Sequence, residues 1–345
     1  MKKDTDSDFH IPKTISKEAQ RFLRSFTVRS RNAFKLPDDP AHIATWKRTW
    51  HLVENYQHAN NEAVTKEYRP TLRDMILGDI TALDIKPRKW KDNGKVIVYT
   101  HGGGYCLGSA RGSLTHSVPV AHDTGMRVIS VDYTVAPLAQ FDEITDQAVN
   151  AIVTLTQSGY RLKDIAVYGD SAGGALIAGA VLKMRDRGLG MPAAAILVSP
   201  WSDISERGDT PVTLRDADPL LAYPRFLSAS AAAYAAPKDW KDPYVSPVYA
   251  NYKKGFPPTL IQGGTKEILL SSMVRHYQAL DQAGCDVKLD LYEGMWHVFQ
   301  SLPWDLPESK LARKKMASFL QQHLYNNSPE AGELLTRKTK TNKKT

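Results

Sequence analysis

The stretch DIAVYGDSAGGALIAGAVLKMRDRG, residues 164–188, runs a short β-branched segment into Gly169-Asp170-Ser171-Ala172-Gly173 and then into a long alanine-rich segment. An apolar run of this length bounded by glycine reads as a buried strand, and the segment after it reads as a helix. A serine between the two, with small residues two positions to either side, is the pattern of a sharp strand-to-helix turn. Such a turn holds the serine in strained backbone with its hydroxyl projecting. The free amides and the dipole at the start of the next helix favour negative charge near that hydroxyl. Ser171 is therefore the candidate nucleophile, against the plain alternative of an ordinary turn.

Outward from this stretch the chain alternates short β-branched runs with longer amphipathic ones, the signature of an α/β protein with a mostly parallel central sheet flanked by helices. The predicted strands are 82–86, 95–100, 127–132, 164–169, 194–199, 259–263 and 286–292, with helices near 140–157, 172–187, 271–284 and 308–324. Two regions break the alternation. Residues 1–75 are mostly polar-helical in pattern, and 203–256 are rich in Pro, Tyr and Ala without a clear strand. The expected organisation is an N-terminal helical cap region over 1–75, a catalytic α/β domain over 76–325 with a cap insertion around 203–256, and a disordered basic tail over 326–345.

In sheets of this type ligands sit beyond the carboxyl ends of the strands, so the chemistry is sought there. A serine is a weak nucleophile without a base, and the base needs an orienting acid. Of the ten histidines, His297 in LYEGMWHVFQ is the one that follows a predicted strand late in the chain. The acid is expected between serine and histidine in chain order. Glu267, four residues past the strand TLIQG, meets that condition, with Asp281, Asp286 and Asp290 as competitors. At another strand end, KVIVYTHGGGYCLGS (95–109) places three consecutive glycines after an apolar run. Bare backbone there can approach an oxygen that gains negative charge, which assigns the amides of Gly102 and Gly103, with that of Ala172, to an oxyanion hole. The rival, a phosphate cradle, lacks the Lys-Ser/Thr of a P-loop and the spacing of a dinucleotide fingerprint.

Composition narrows the classes further. The formal charge is +8, but residues 11–36 carry +6 and the last twenty +3, so the body from 37 to 325 is neutral. With no aromatic-interleaved basic groove and no repeat, the sequence gives no support to nucleic-acid binding. Ile15, Ala19, Phe22, Leu23 and Phe26 fall at helical spacing among Arg and Lys, which predicts an amphipathic helix packed on the body rather than on a lipid surface. No apolar run approaches the ~20 residues of a membrane span, and the first residues lack the apolar segment of a signal peptide, so stable membrane insertion is not expected and a cytoplasmic location is. Cys106 and Cys285 are too few for a disulfide framework or a cysteine zinc site, and no metal site is expected.

With these residues in place, the chain resembles the hormone-sensitive-lipase-like branch of the α/β-hydrolase superfamily, among its bacterial carboxylesterases. The resemblance spans about 70–324 and rests on HGGGY, DYTVAP (132–137), GDSAGG, SPWSD (199–203), DADPLL (216–221), DPYVSPVYA (242–250) and GMWHVF in that order. It implies an α/β-hydrolase fold with a helical cap, a catalytic Ser171 and His297, an oxyanion loop at Gly102 and Gly103, and no cofactor. The implied activity is hydrolysis of short-chain acyl esters through an acyl-enzyme intermediate on a small-molecule substrate. A lactonase or amidase using the same triad, or a binding protein on the same scaffold, stands as the alternative. Tyr105, Trp296 and the cap are expected to wall the substrate pocket, and a homodimer is among the expected assemblies. The chain departs from the family pattern in two places: Glu267, preceded by Lys266, stands where an aspartate is usual, and Thr134 and Leu138 stand where relatives carry Arg and Glu.

Overall fold

Strand residues in this chain divide cleanly between two cores, and that division builds the sheet. The computed structural model describes residues 7–33, 35–301 and 306–325. Eight strands are described: β1 (Thr71–Leu77), β2 (Ile80–Lys86), β3 (Val96–Thr100), β4 (Arg127–Val131), β5 (Ile165–Asp170), β6 (Ala194–Val198), β7 (Thr259–Gly264) and β8 (Val287–Tyr292). They form one sheet in the order β1-β2-β4-β3-β5-β6-β7-β8. From β4 through β8 every neighbouring pair is parallel, while β1 pairs antiparallel with β2 and β2 with β4. Successive side chains point to opposite faces. Val96 and Val98 of β3 and Ile165 and Val167 of β5 enter one core, while Ile97, Tyr99, Ala166 and Tyr168 enter the other.

Ten α-helices accompany the sheet among the described residues: α1 (Lys17–Ser25), α2 (Val28–Ala33), α3 (Ile43–Tyr68), α4 (Leu114–Thr124), α5 (Phe141–Gln157), α6 (Ala172–Asp186), α7 (Thr210–Thr213), α8 (Ser228–Tyr234), α9 (Leu270–Gln282) and α10 (Pro307–Tyr325). The first core lies under α5, α6 and α9, and the second under α4 and α10. Both faces are therefore covered, as parallel strands require. A third, smaller apolar cluster joins Ile15, Ala19 and Leu23 of the N-terminal segment to Met295, Trp296 and Phe299. This is the predicted amphipathic helix, packed on the body through its apolar face, with Ser16 capping it by accepting from Ala19 N–H.

Two elements were not expected from the sequence. β1 begins inside the segment read as N-terminal helical cap, and its residues TLRDMIL are mostly exposed, so the apolar alternation that marks a strand is absent. α4 carries Pro119 in its interior, a residue that ordinarily argues against a helix. The insertion around 203–256 is built, as its composition suggested, from short helical turns without a strand. Residues 326–345, where a disordered tail was expected, lie outside the described residues.

Candidate active site

Four neighbouring strands, β5 to β8, deliver one group each to the same end of the sheet. Ser171 follows β5 with φ +55° and ψ −125°, a conformation that costs a non-glycine residue about 1–3 kcal/mol. The flanking glycines are required by space. A Cβ on Gly169 would lie 2.4 Å from Gly173 O, and one on Gly173 would lie 2.1 Å from Thr100 O. Past β8, the turn through Gly294 brings His297 back so that Nε2 stands 2.9 Å from Ser171 Oγ. Past β7, Glu267 Oε2 stands 2.8 Å from His297 Nδ1. The competitors Asp281 and Asp286 make no contact with His297, and Asp290 pairs with Lys315 and Gln262.

Glu267 is fully buried, and its remaining oxygen is satisfied by Gly264 N–H at 2.5 Å and Ser199 Oγ at 2.8 Å. Ser199, which follows β6 with φ +44°, also accepts from Val298 N–H at 3.1 Å, so one hydroxyl ties the acid to the residue after the histidine. The two loops are joined again where Lys266 N–H donates to Met295 O. Burial works to lower the His297 pKa, but the hydrogen bond and charge of Glu267, with the charges of Asp218 and Asp170, prevail and raise it above its ordinary value. Asp218 is a buried carboxylate of the 203–256 insertion that accepts from Leu220, Leu221 and Ile268 N–H, and burial pushes it up to about 6. Its place beside the Glu267 loop gives the DADPLL motif a physical role that the sequence alone did not.

The glycine loop differs from expectation at one position. The Gly102 N–H is taken up by Asp170 Oδ1 at 3.3 Å, and Asp170 Oδ1 also accepts from Tyr99 OH at 2.5 Å. The amides of Gly103, Gly104 and Ala172 have no hydrogen-bond acceptor among the described residues. The backbone at Gly103 (φ +110°) and Gly104 (φ +63°) is of the kind L side chains rarely adopt.

A cavity of about 390 Å³ opens on Ser171 and His297. Neither predicted wall residue lines it. Tyr105 is buried in a stack, its ring 3.6 Å from Tyr234 and 5.7 Å from Trp201, and Trp296 is buried in the third apolar cluster. Trp296 acts one step removed: its ring meets Phe26 edge-on at 5.5 Å, and Phe26 lines the cavity with Leu220, Leu221 and Phe226. The N-terminal segment and the insertion were expected to wall the pocket, but the individual residues that do so were not legible, because no periodicity places those segments over a particular strand end. At the other departure, Thr134 exchanges two hydrogen bonds with the Gln147 side chain, N–H to Oε1 at 2.8 Å and Oγ1 from Nε2 at 3.0 Å, and Leu138 is exposed. Among the described residues no group of three His, Cys, Asp or Glu side chains is placed to hold a metal, and no helix is long and apolar enough to cross a membrane.

A Ser–His–Glu relay at the carboxyl ends of parallel strands is the arrangement of a serine hydrolase. The chain belongs to the alpha/beta hydrolase fold family, whose sequence model matches residues 97–301. It is 32% identical over 247 residues to an acetyl-hydrolase of Streptomyces hygroscopicus, covering 72% of this chain and 81% of that one. Among solved structures, esterase E25 superposes with a TM-score of 0.84 at 27% identity, covering 91% of this chain and 96% of that one. An esterase of the bacterial hormone-sensitive lipase family superposes with a TM-score of 0.78 at 30% identity, covering 90% and 99%. The family likeness expected from the motifs is therefore met.

Proposed function

We propose that this chain is a serine carboxylic-ester hydrolase acting on short-chain acyl esters, with Ser171 as nucleophile, His297 as base and Glu267 as orienting acid. The unbroken relay from Ser171 Oγ through His297 to Glu267 carries the reading. As Ser171 Oγ bonds to the acyl carbon, its proton passes to His297 Nε2, and the imidazolium is stabilised by the buried Glu267 carboxylate. The oxyanion is met by the amides of Gly103, Gly104 and Ala172, each donor contributing about 3–4 kcal/mol by mutational measure. Collapse breaks the carbon–oxygen bond to the alcohol, which leaves with the proton from Nε2. Water, deprotonated by the same nitrogen, then hydrolyses the acyl-enzyme and frees Ser171. The names of the relatives, acetyl-hydrolase and esterase, support ester hydrolysis with small acyl groups. The bounded cavity supports acyl chains of roughly two to eight carbons. Residues 1–70 and the insertion act as the cap, since Phe26, Leu220 and Phe226 come from them.

Ser171→Ala tests the reading. The variant is expected to fold, because the hydroxyl packs against little besides His297, and to lose hydrolysis of nitrophenyl butyrate and labelling by an organophosphate. Near-native turnover in Ser171→Ala would reject the mechanism.

A further inference from the structure

The lining of the cavity over Ser171 comes from two chemically different sets of residues. One is Phe26, Leu220, Leu221 and Phe226, from the N-terminal segment and the insertion. The other is Gln57 and Asn60 of α3 with Thr115 and His116 of α4, two helices that pack together. The polar set is built rather than incidental. α3 is pinned to the segment before α4 at three levels: Trp50 Nε1 donates to Cys106 O at 2.7 Å, Ser109 Oγ donates to Glu54 Oε1 at 2.7 Å, and Asn61 Nδ2 donates to Gly112 O at 3.0 Å. The Asn61 carbonyl also accepts from Thr115 N–H at 3.3 Å. Gln57 and Asn60, three apart, share one helix face and are held beside Thr115 and His116. The side chains of Gln57 and Asn60 and the Thr115 hydroxyl make no hydrogen bond among the described residues. His116 Nδ1 approaches the buried Asp170 Oδ2 at 3.4 Å without hydrogen-bond alignment. In a neutral imidazole one ring nitrogen donates and the other accepts, so His116 can meet a ligand hydroxyl in either role.

Four polar side chains converging on a nucleophile offer both donors and acceptors, which suits hydroxyl groups better than an anion or an alkyl chain. The order of events assigns the two sets. The acyl arm stays attached to Ser171 after the first step and is held by the enclosed apolar wall, where Leu221 is buried. The alcohol leaves first and needs a path outward. The α3 side provides it, because Tyr56, on the same helix and lining the same cavity, is 77% exposed. Resting on the ester-hydrolase reading, we propose that Gln57, Asn60, Thr115 and His116 bind hydroxyl groups on the alcohol half, so that the preferred substrates are short-chain esters of polyhydroxylated alcohols.

The test compares 1-monobutyrin with propyl butyrate, which share the acyl group and the three-carbon skeleton and differ in two hydroxyls. The native enzyme is expected to show about tenfold higher kcat/KM for monobutyrin, arising in KM. Asn60→Leu and Thr115→Val are each expected to reduce that ratio several-fold through the monobutyrin KM, and Asn60→Gln to restore part of it. A native ratio near or below one overturns the proposal, as does a ratio unchanged in both folded variants. A preference for methyl 3-hydroxybutyrate over methyl butyrate, without one for monobutyrin, places the polar set against the acyl arm and also overturns it. Hydrolysis of none of these esters rejects the esterase reading itself, and this proposal with it.

Discussion

At the scale of single residues, the site turns on how a buried histidine is kept basic. Burial alone would lower the His297 pKa, and the Glu267 hydrogen bond and charge reverse that. Since the proposed mechanism needs His297 neutral to accept the Ser171 proton, a raised pKa is expected to move the acid limb of kcat/KM upward, above the ordinary 6.5. Glu267→Gln keeps the shape and loses the charge. It is expected to lower kcat by on the order of 10⁴-fold, as the equivalent change does in a protease triad, and to move the acid limb of the residual activity below the native one. Glu267→Asp should lose less and keep the limb high. A pH profile of nitrophenyl butyrate hydrolysis checks both, and an unmoved limb in Glu267→Gln would remove Glu267 from the relay. Ser171, Glu267 and His297 were legible as candidates because each follows a strand that its own residues announce. Tyr105 and Trp296 were misread because proximity in sequence to HGGG and to His297 says nothing of direction: both rings turn into aromatic clusters instead.

At the scale of elements, the seven predicted strands and the four predicted helices were read to within a residue or two, while β1 and α4 were not read at all. β3 and β5 to β7 announce themselves by apolar runs and β8 by the alternation of Val287, Leu289 and Leu291 with Lys288 and Asp290, whereas β1 lies at the solvent-facing edge and α4 tolerates Pro119. The glycine loop shows the same limit. Sequence places bare backbone near the hydroxyl but cannot say which amides face it, and the Gly102 bond to Asp170 supports the proposed set that begins one residue later. Gly104→Ala tests that shift. A Cβ there would lie 2.5 Å from Ser230 Oγ and 3.1 Å from Phe226 Cζ, at φ +63°. The loop must move, and the Gly104 amide with it. The expected result is a loss of about 10²-fold in kcat with a much smaller change in KM, the mark of a donor that acts in the transition state. Native kcat in a folded Gly104→Ala would take this amide out of the hole.

At the scale of the whole molecule, buried polar groups outside the site set how the fold answers to pH. Ser202, Tyr252 and His276 form a buried chain between the segment after β6, the insertion and α9. Tyr252 OH donates to Pro247 O at 2.9 Å, so at 2.6 Å it accepts from His276 Nε2, and His276 Nδ1 accepts from Ser202 Oγ at 2.8 Å. Both ring nitrogens are thereby engaged in the neutral form, and burial pushes the pKa down to about 3. Unfolded, the same ring takes up a proton near 6.5. Between those values the unfolded state binds more protons, so stability present above pH 6.5 is lost as pH falls, by about 1.4 kcal/mol per unit and about 2 kcal/mol by pH 5. Asp218 acts with the opposite sign. Raised by burial from 3.8 to about 6, it contributes stability that is full below 3.8 and is lost as pH rises through 6. The two partly offset each other, so the native enzyme shows less pH dependence between 5 and 7 than either group alone would produce. His276→Asn exposes the balance. It destabilises the fold at every pH by breaking the chain, but its stability difference between pH 8 and pH 5 is expected to shift by about 2 kcal/mol in favour of pH 5 relative to the native enzyme. Asp218→Asn is expected to shift the same difference the other way. Urea unfolding at pH 8, 6.5 and 5 measures both, and stability curves parallel to the native one in both variants would show that neither group titrates across the folding transition.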